Sequence, residues 1–284
     1  MIGRRRSPGP TTVYFLSDYG LDDEFVGVVH AVLARRAPRA RVIDLGHRVR
    51  PFDVRGAAAL LERAVDHLGP GLVLAVVDPG VGGSRRAVAV EVSSTGGPRW
   101  FVGPDNGLLV GAAERVGAIA RAVELARLPG AGTFDGRDVL APAAAALCAG
   151  TPMPALGAPI EPAGLVRLRP PLLVSESDAA GRLTVLRAEV TWVDRFGNVQ
   201  LAARAADLAG APDGPSAVRV ADGGAGGAGS GDLALRPIAA FSDLAQGELG
   251  LLVDANGFLA LVVNRGSAAD RLALRSGSHV ELTW

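Results

Sequence analysis

The feature that most restricts the fold is an apolar run, Leu72–Val77, followed at once by a glycine-rich loop from Asp78 to Arg86. A short Val/Leu run bounded by turn residues predicts a buried strand of a parallel sheet. Loops beyond the carboxyl ends of such strands are where open α/β sheets bind ligands. Because glycines let this loop turn tightly, we expect Asp78 and Arg85 to face one small cavity. The alternative is a surface Asp-Pro-Gly turn with solvated arginines.

The first half of the chain alternates strand-like and helix-like segments. Strands are predicted at residues 12–17, 41–45, 72–77, 87–92 and 100–103, and helices near 25–33, 54–67 and 108–115 and in the alanine-rich stretch that ends at 149. Asp22 or Asp23 is expected to cap the first helix. The alternation predicts an α/β domain over residues 12–150, a sandwich in which a mainly parallel sheet is covered on both faces.

The character of the sequence changes after Gly150. Residues 151–171 include six prolines, which predict an interdomain linker without long regular elements. Short alternating segments follow at 183–193, 199–201, 217–220, 249–253, 259–263 and 280–282. They predict a smaller antiparallel β-barrel domain over residues 172–284. The glycine-rich stretch 223–231 is expected to be a flexible hairpin tip, and residues 1–11 a disordered tail.

Composition excludes several function classes. The 29 basic and 29 acidic residues balance, and the only dense basic run is 4–6, so no nucleic-acid partner is expected. No apolar stretch approaches the roughly 18 residues of a membrane span, which predicts a cytoplasmic protein without a membrane partner. The chain has no lysine, which rules out Schiff-base chemistry and a P-loop lysine. Cys148 lies among alanines and is interpreted as a small core residue.

Aspartates follow most of the predicted strands, so several are expected at one edge of the sheet: Asp18, Asp53, Asp78, Asp105, Asp135 and Asp138. Three kinds of site are open. A hard-cation site could use Asp18, Asp22, His47 and Asp78, although the ligands show no regular spacing. A dinucleotide site would need a Gly-x-Gly-x-x-Gly turn, which the first strand lacks. The third is a cavity for a cationic or polyhydroxylated small molecule.

Seven short motifs occur in a fixed order, at residues 17–27, 51–55, 77–82, 103–109, 136–138, 193–198 and 264–269. As an ordered set they resemble the S-adenosylmethionine (SAM) hydroxide adenosyltransferases, adenosine-forming SAM hydrolases related to fluorinase and chlorinase, from Thr12 onward. The resemblance implies an α/β domain, a β barrel, and a homotrimer with the substrate between the first domain of one subunit and the second domain of its neighbour. It also implies hydrolysis of SAM to adenosine and L-methionine by in-line attack of water or hydroxide at the ribose 5′-carbon, with no metal or other cofactor.

The resemblance also assigns substrate-binding positions. They are Asp18 for the ribose hydroxyls, Phe52 for an aromatic wall, Asp194 for the methionine ammonium, Phe196 and Asn198 for the adenine, and Asn256 and Arg265 near the amino-acid end. A carboxylate can accept from both hydroxyls of a ribose, and an Asn amide both donates and accepts, which suits an adenine edge. From the residues alone, Phe52 would be core and the segment 196–198 a hairpin turn.

The expected catalytic set is Asp78, Arg85 and Asp135. Asp78 and Arg85 match two members of an Asp, Arg, His set that the hydrolases are thought to use on water. The halogenases carry tyrosine at the position of Asp78, where a carboxylate would repel a halide. The third member departs from the family's Thr-Phe-His-Gly-Arg-Asp, because Asp135 takes the place of the histidine.

We hypothesise that Asp78 and Asp135 form a coupled pair that orients and partly deprotonates water, with Arg85 offsetting part of their repulsion. Two alternatives stay open. One is a SAM- or adenosine-binding protein with lost or altered catalysis, and the other is an adenosyl transferase that uses a halide.

Overall fold

The computed structural model of the protein describes residues 9–127, 132–211, 214–221 and 232–284. The chain divides into two compact units, Met1–Leu168 and Arg169–Trp284. Residues 1–8 of the expected tail and the glycine-rich stretch 223–231 lie outside the described residues. Among the residues described, no helix combines the length and the apolar character needed to cross a bilayer.

The first unit contains a seven-stranded sheet flanked by helices. Its strands are β1 (Thr12–Ser17), β2 (Arg41–Gly46), β3 (Leu72–Val76), β4 (Ala87–Ser93), β5 (Arg99–Pro104), β6 (Ala118–Leu125) and β7 (Gly157–Ile160). Its α-helices are α1 (Phe25–Arg36), α2 (Val54–Ala64), α3 (Val110–Val116) and α4 (Ala141–Cys148), the last preceded by a π-helical segment, Gly136–Leu140.

The spatial order of the strands is β2-β1-β3-β5-β4-β6-β7. The pairs β2–β1, β1–β3 and β3–β5 are parallel. The pairs β5–β4, β4–β6 and β6–β7 are antiparallel. The predicted α/β class is confirmed, with a sheet that is mixed because its later strands are antiparallel.

Strand β3 is buried on both faces, as its continuous apolar sequence predicts. Alternate residues contact opposite helix layers: Leu72, Leu74 and Val76 pack in the cluster that includes α1 and α4, and Val73, Ala75 and Val77 in the cluster that includes α2 and α3. Each fully buried Val or Leu side chain stabilises the fold by about 1.5–3 kcal/mol. Asp78, which comes directly after this buried segment, is therefore attached to a firmly packed strand.

Three local features differ from the sequence expectations. Helix α1 begins after Glu24, which makes no capping hydrogen bond through its side chain, so the expectation of a cap at Asp22 or Asp23 is wrong. Strand β6 was not predicted, because its alanines and arginines give no clear alternation. Strand β7 lies inside the segment expected to be a linker and pairs with β6. Its Pro159 is tolerated because β7 is the edge strand of the sheet.

The second unit is a single β-sheet with one short α-helix among the residues described. Its strands are β8 (Leu173–Ser177), β9 (Leu183–Val193), β10 (Val199–Arg204), β11 (Ala217–Val220), β12 (Leu233–Ala234), β13 (Arg236–Pro237), β14 (Leu249–Val253), β15 (Phe258–Val263) and β16 (His279–Thr283), and its helix is α5 (Ala268–Leu272). All described pairings are antiparallel except that of β13 with β14.

This sheet curls nearly into a barrel. Its spatial order is β12-β11-β16-β9-β10-β15-β14-β13, with β8 paired to β9. The two end strands, β12 and β13, are separated in the chain only by Leu235, so the two ends of the sheet must come close together. Leu235 is buried in the core that the curled sheet encloses. The expectation of a β-barrel-like fold is confirmed.

Candidate active site

The backbone that leads into Asp78 is held by the neighbouring loop. Asn106, in the loop after β5, donates from Nδ2 to the carbonyl of Val77 at 2.9 Å. The backbone N–H of Leu108 in turn donates to Asn106 Oδ1 at 3.2 Å. Since a backbone carbonyl left unpaired in the interior would be costly, these bonds stabilise the point at which β3 becomes the loop. Asp78 is thereby positioned at the carboxyl end of β3.

Asp78, Arg85 and Asp135 form one buried ion cluster. Arg85 donates from Nε to Asp78 Oδ1 at 2.8 Å, and its Nη2 also donates to Asp78 Oδ2. The same Nη2 lies 2.5 Å from Asp135 Oδ2. The three side chains are only 6%, 12% and 1% exposed, in the order Asp78, Arg85 and Asp135. The prediction that these residues meet is confirmed, and the alternative of a solvated surface turn is wrong.

A second guanidinium completes the cluster and was missed by the sequence analysis. Arg127, just beyond β6, donates from Nη2 to Asp135 Oδ2 at 2.5 Å. The two carboxylates, Asp78 and Asp135, therefore face two guanidiniums, which balances their formal charge. The hypothesis of a coupled carboxylate pair, with Arg85 offsetting part of its repulsion, did not include this second cation. Nothing in the sequence indicated Arg127, because β6 was not predicted and the residue belongs to none of the recognised motifs.

Two buried polar atoms of the cluster have no hydrogen-bond partner among the described residues. They are Nη1 of Arg85, a donor, and Oδ1 of Asp135, an acceptor. Leaving such atoms unpaired in the interior costs about 1–3 kcal/mol each, and more for charged groups. Arg85 and Asp135 are directly bonded to each other through their other atoms, Nη2 and Oδ2, so one cluster contains both an unpaired cationic donor and an unpaired anionic acceptor. A small ligand that both accepts and donates would satisfy both.

Aromatic rings pack beside this cluster. Tyr19 contacts Phe25 and Phe134, with ring centroids 5.5 and 5.6 Å apart, and Phe25 contacts Phe134 edge to face. Burial raises the pKa of the Tyr19 hydroxyl well above its ordinary value, and nearby negative charges raise it further, including those of Asp78 and Asp135. The hydroxyl therefore stays protonated at neutral pH, and the rings form an apolar wall.

Asp18 and Phe52 are joined by a hydrogen bond. The backbone N–H of Phe52 donates to Asp18 Oδ2 at 2.9 Å. Phe52 has a φ of 67°, a left-handed conformation that is unusual for a bulky residue, and the residue is 71% exposed. The interpretation of Phe52 as a core residue is wrong. Burial is the main cause that raises the pKa of Asp18, and the charge of Asp78 adds to it, which links the two carboxylates electrostatically.

The other aspartates expected at this edge have structural partners. Asp53 caps α2 by accepting from the N–H of Gly56 at 2.8 Å. Asp105 is bound by Arg86 and also accepts from the N–H of Val166 at 2.8 Å. Asp138 pairs with Arg137, its neighbour in the chain. These bonds give the three carboxylates a role in holding loops and helix ends.

Asp194, Phe196 and Asn198 share the turn between β9 and β10. Asp194 Oδ1 accepts from the N–H groups of Phe196 and Asn198 at 2.8 and 2.9 Å, and its Oδ2 accepts from Asn198 Nδ2 at 2.8 Å. Gly197 has a φ of 79°, and a Cβ there would lie 2.0 Å from Ser267 Oγ, so the turn packs against the start of α5. The hairpin interpretation is confirmed. Phe196 is 75% exposed at the tip of the turn.

Asn256 and Arg265 lie at opposite ends of β15. Asn256 is in the turn before the strand, where its carbonyl accepts from Arg204 Nη1 at 3.2 Å. Arg265 follows the strand, exposed and with a φ of 55°, beside the segment that packs on Gly197. Since β15 has six residues at about 3.3 Å each, its ends are far apart. The structure therefore groups Arg265, but not Asn256, with the Asp194 turn.

The hard-cation alternative does not match the structure. His47 lies with His30 and Asp44, and within the described part of the chain these three are the one set of at least three His, Cys, Asp or Glu residues placed closely enough to share an ion.

Cys148 packs against the apolar cluster of the first unit, and burial raises the pKa of its thiol to about 11. Because the thiolate is the nucleophilic form, this supports the interpretation of Cys148 as a core residue.

Comparison with known proteins finds the same family that the motifs resemble. Family models described as the SAM hydroxide adenosyltransferase N-terminal and C-terminal domains match residues 13–157 and 188–281. The (R)-S-adenosyl-L-methionine hydrolase of Salinispora arenicola is 45% identical over 279 residues, which cover 95% of this chain and 97% of that protein. A fluorinase of an Actinoplanes species is 27% identical, over 97% of this chain and 98% of its own.

A crystal structure of an uncharacterized conserved protein from Thermotoga maritima has a TM-score of 0.79 and 33% sequence identity, covering 96% of this chain and 100% of the other. The similarity thus extends over both units and agrees with the resemblance that the sequence motifs carry. The chain belongs to the SAM hydroxide adenosyltransferase family.

Proposed function

We propose that the protein hydrolyses SAM to adenosine and L-methionine by attack of water at the ribose 5′-carbon. The observation that carries the proposal is the unpaired buried pair of Arg85 Nη1 and Asp135 Oδ1. A water molecule can accept a hydrogen bond and also donate one, so we propose that the attacking water accepts from the guanidinium and donates to the carboxylate. The curated relative that shares 45% of its residues with this chain is named an (R)-S-adenosyl-L-methionine hydrolase.

The bond changes balance without an added reagent. The water oxygen forms a bond to the 5′-carbon while the carbon–sulfur bond breaks, and the electron pair of that bond neutralises the sulfonium. Positive charge develops on the attacking water, and Asp135 Oδ1 is placed to stabilise it by accepting a hydrogen bond. The proton then leaves to solvent. Because sulfur is already a good leaving group, the residues act mainly by positioning and desolvating the nucleophile.

The same geometry favours water over a halide. A halide can only accept hydrogen bonds, so Asp135 Oδ1 would stay unpaired beside a second negative charge. Arg85 would attract the halide and offset the repulsion, but the acceptor of Asp135 would still have no donor, whereas water supplies one. The fluorinase relative is also much more distant in sequence than the hydrolase relative.

The remaining residues are proposed to hold the substrate. Asp18 binds the ribose hydroxyls and Phe52, exposed and strained, forms an aromatic wall. Asp194, already fixed by its own turn, binds the ammonium, with Phe196 and Asn198 at the adenine. Arg265 is retained near the amino-acid end, whereas Asn256 is omitted because of its place at the other end of β15.

The test is incubation of the purified protein with each sulfonium diastereomer of SAM, with and without chloride, and product analysis by mass spectrometry. We expect adenosine and methionine in equal amounts, with the (R) form turned over faster. Asp135→Asn and Arg85→Gln should reduce the rate by roughly 100-fold or more, the range for loss of a charge-stabilising group. Chlorodeoxyadenosine, or bound SAM without turnover, would contradict the proposal.

We further propose a homotrimer, as the family resemblance implies, in which the second unit of one subunit joins the first unit of its neighbour around the substrate. Light scattering gives the assembly state. Joint refolding of Asp78→Asn and Asp194→Ala subunits tests whether the site is shared. In a mixed trimer, the intact first unit of an Asp194→Ala subunit can meet the intact second unit of an Asp78→Asn subunit, which restores one complete site. Activity above that of either variant alone supports it, and a monomer or no recovery of activity contradicts it.

A further inference from the structure

A second polar cluster lies outside the Asp78, Arg85 and Asp135 cluster. It combines His30 of α1, Asp44 of β2 and His47, just after β2. Asp44 Oδ1 lies 2.8 Å from His30 Nε2 and 3.1 Å from His47 Nε2, and the three ligand atoms all lie within 4.8 Å of one another. Two imidazole nitrogens and one carboxylate oxygen thus lie close enough together to share one ion.

The fold holds both imidazoles in place. The Phe15 ring, buried on β1, packs against the ring of His47 at 4.6 Å and that of His30 at 6.0 Å between centroids. Asp44 lies opposite Phe15 in the parallel pairing of β1 with β2. The arrangement therefore depends on paired strands and a helix rather than on a loose surface loop.

The orientation of His47 is that of a metal ligand. Its side chain is only 3% exposed, and its Nδ1 lies 2.8 Å from Oγ of the fully buried Ser17. When Nδ1–H donates to Ser17, the lone pair of Nε2 points toward Asp44. Nε2 makes no well-directed hydrogen bond to any of the described residues, despite its closeness to Asp44. Metal-binding histidines characteristically donate their other ring N–H to a supporting acceptor in this way.

We propose that His30 Nε2, Asp44 Oδ1 and His47 Nε2 bind a divalent first-row transition ion such as Zn²⁺, with water completing the coordination. Imidazole and carboxylate ligands suit this class of ion, and three protein ligands plus water are a common tetrahedral set. The His30 and Asp44 side chains are 35% and 43% exposed, so an ion has a path from solvent. This ion is separate from the hydrolysis, for which the family resemblance implies no metal.

The test uses the full chain after removal of metals by chelation. Equilibrium dialysis against Zn²⁺ followed by elemental analysis should give one ion per chain, and Co²⁺ should produce the visible absorption of a low-symmetry, four-coordinate site. His30→Ala and Asp44→Asn should weaken binding at least about tenfold, since loss of even supporting residues has effects of that size. His67→Ala removes an exposed histidine elsewhere in the first unit and should change nothing.

Circular dichroism of each variant separates loss of the site from loss of the fold. Because the two substitutions affect partly exposed residues, both variants should stay folded, and the buried His47 need not be changed. The proposal is overturned if the parent protein binds no Zn²⁺ by dialysis, or if folded His30→Ala and Asp44→Asn bind it as tightly as the parent.

Discussion

Gly136→Ala should reduce the rate of hydrolysis by a steric route that the structure specifies. A Cβ at residue 136 would lie 2.1 Å from the Tyr19 hydroxyl oxygen, whereas ordinary contacts begin at 3.4 Å. Either the tyrosine or the backbone next to Asp135 must therefore move by about 1 Å. A misplacement of about 1 Å at reacting groups can cost roughly 100-fold in rate. Overpacking should also lower the free energy of unfolding by about 1–3 kcal/mol.

The assay is kcat for adenosine formation, with thermal melts, in a double-mutant cycle with Tyr19→Phe. Without the hydroxyl, the nearest contacts of the added Cβ are the ring carbon Cζ at 3.1 Å and Phe134 at 3.2 Å, which small shifts can relieve. The double variant should therefore recover most of the activity that Gly136→Ala loses. Gly164→Ala, whose Cβ would meet nothing closer than 3.8 Å, is the matched control. A fully active Gly136→Ala, or no recovery in the double variant, refutes the reasoning.

Three further predictions concern charge and burial. Arg127→Ala should lower kcat roughly 10-fold or more by removing a charged bond to the buried Asp135. Arg121→Ala, a control whose own side chain is 60% exposed and pairs with Glu91, should leave kcat unchanged, and equal rates for the two variants would contradict the prediction. Burial raises the pKa of Asp18, so this carboxylate should become protonated, and KM for SAM should rise, at a higher pH than would be the case for an exposed aspartate. Asp18→Asn should have a high KM that does not change over that pH range. A KM of the parent protein that stays constant as the pH falls would count against this prediction. Iodoacetamide at neutral pH should leave activity intact, because burial raises the pKa of Cys148 to about 11 and keeps its thiol protonated. Rapid inactivation together with labelling of Cys148 would contradict this prediction.

The parts of the fold that follow from local pattern were predictable. Strand β3 and its loop could be predicted because continuous apolar residues end at a glycine-rich turn, and β9, β11 and β14 have the predicted bounds. Strands β12 and β13, with two residues each, could not, because their pairing depends on how the sheet curls rather than on their own sequence. Strand β7 was hidden by prolines that only an edge strand tolerates.

The candidate site shows the same division. Asp78 and Arg85 are seven residues apart in one tight loop, so their contact could be expected from the sequence. Arg127 reaches Asp135 from the end of a strand that was not predicted, and no spacing rule links the two. His30 and Asp44 meet only because of the β1–β2 register and the position of α1. Contacts set by tertiary packing in this way leave no periodic signal in the chain.

The most direct test of the central claim is a single-turnover reaction in oxygen-18 water, with the protein in excess over SAM. If water held by Arg85 and Asp135 attacks the 5′-carbon, the adenosine formed in the first turnover carries the label on its 5′-oxygen. Unlabelled adenosine, with oxygen-18 in an aspartate carboxylate of the protein, would mean that a side chain attacks first, and would contradict the account.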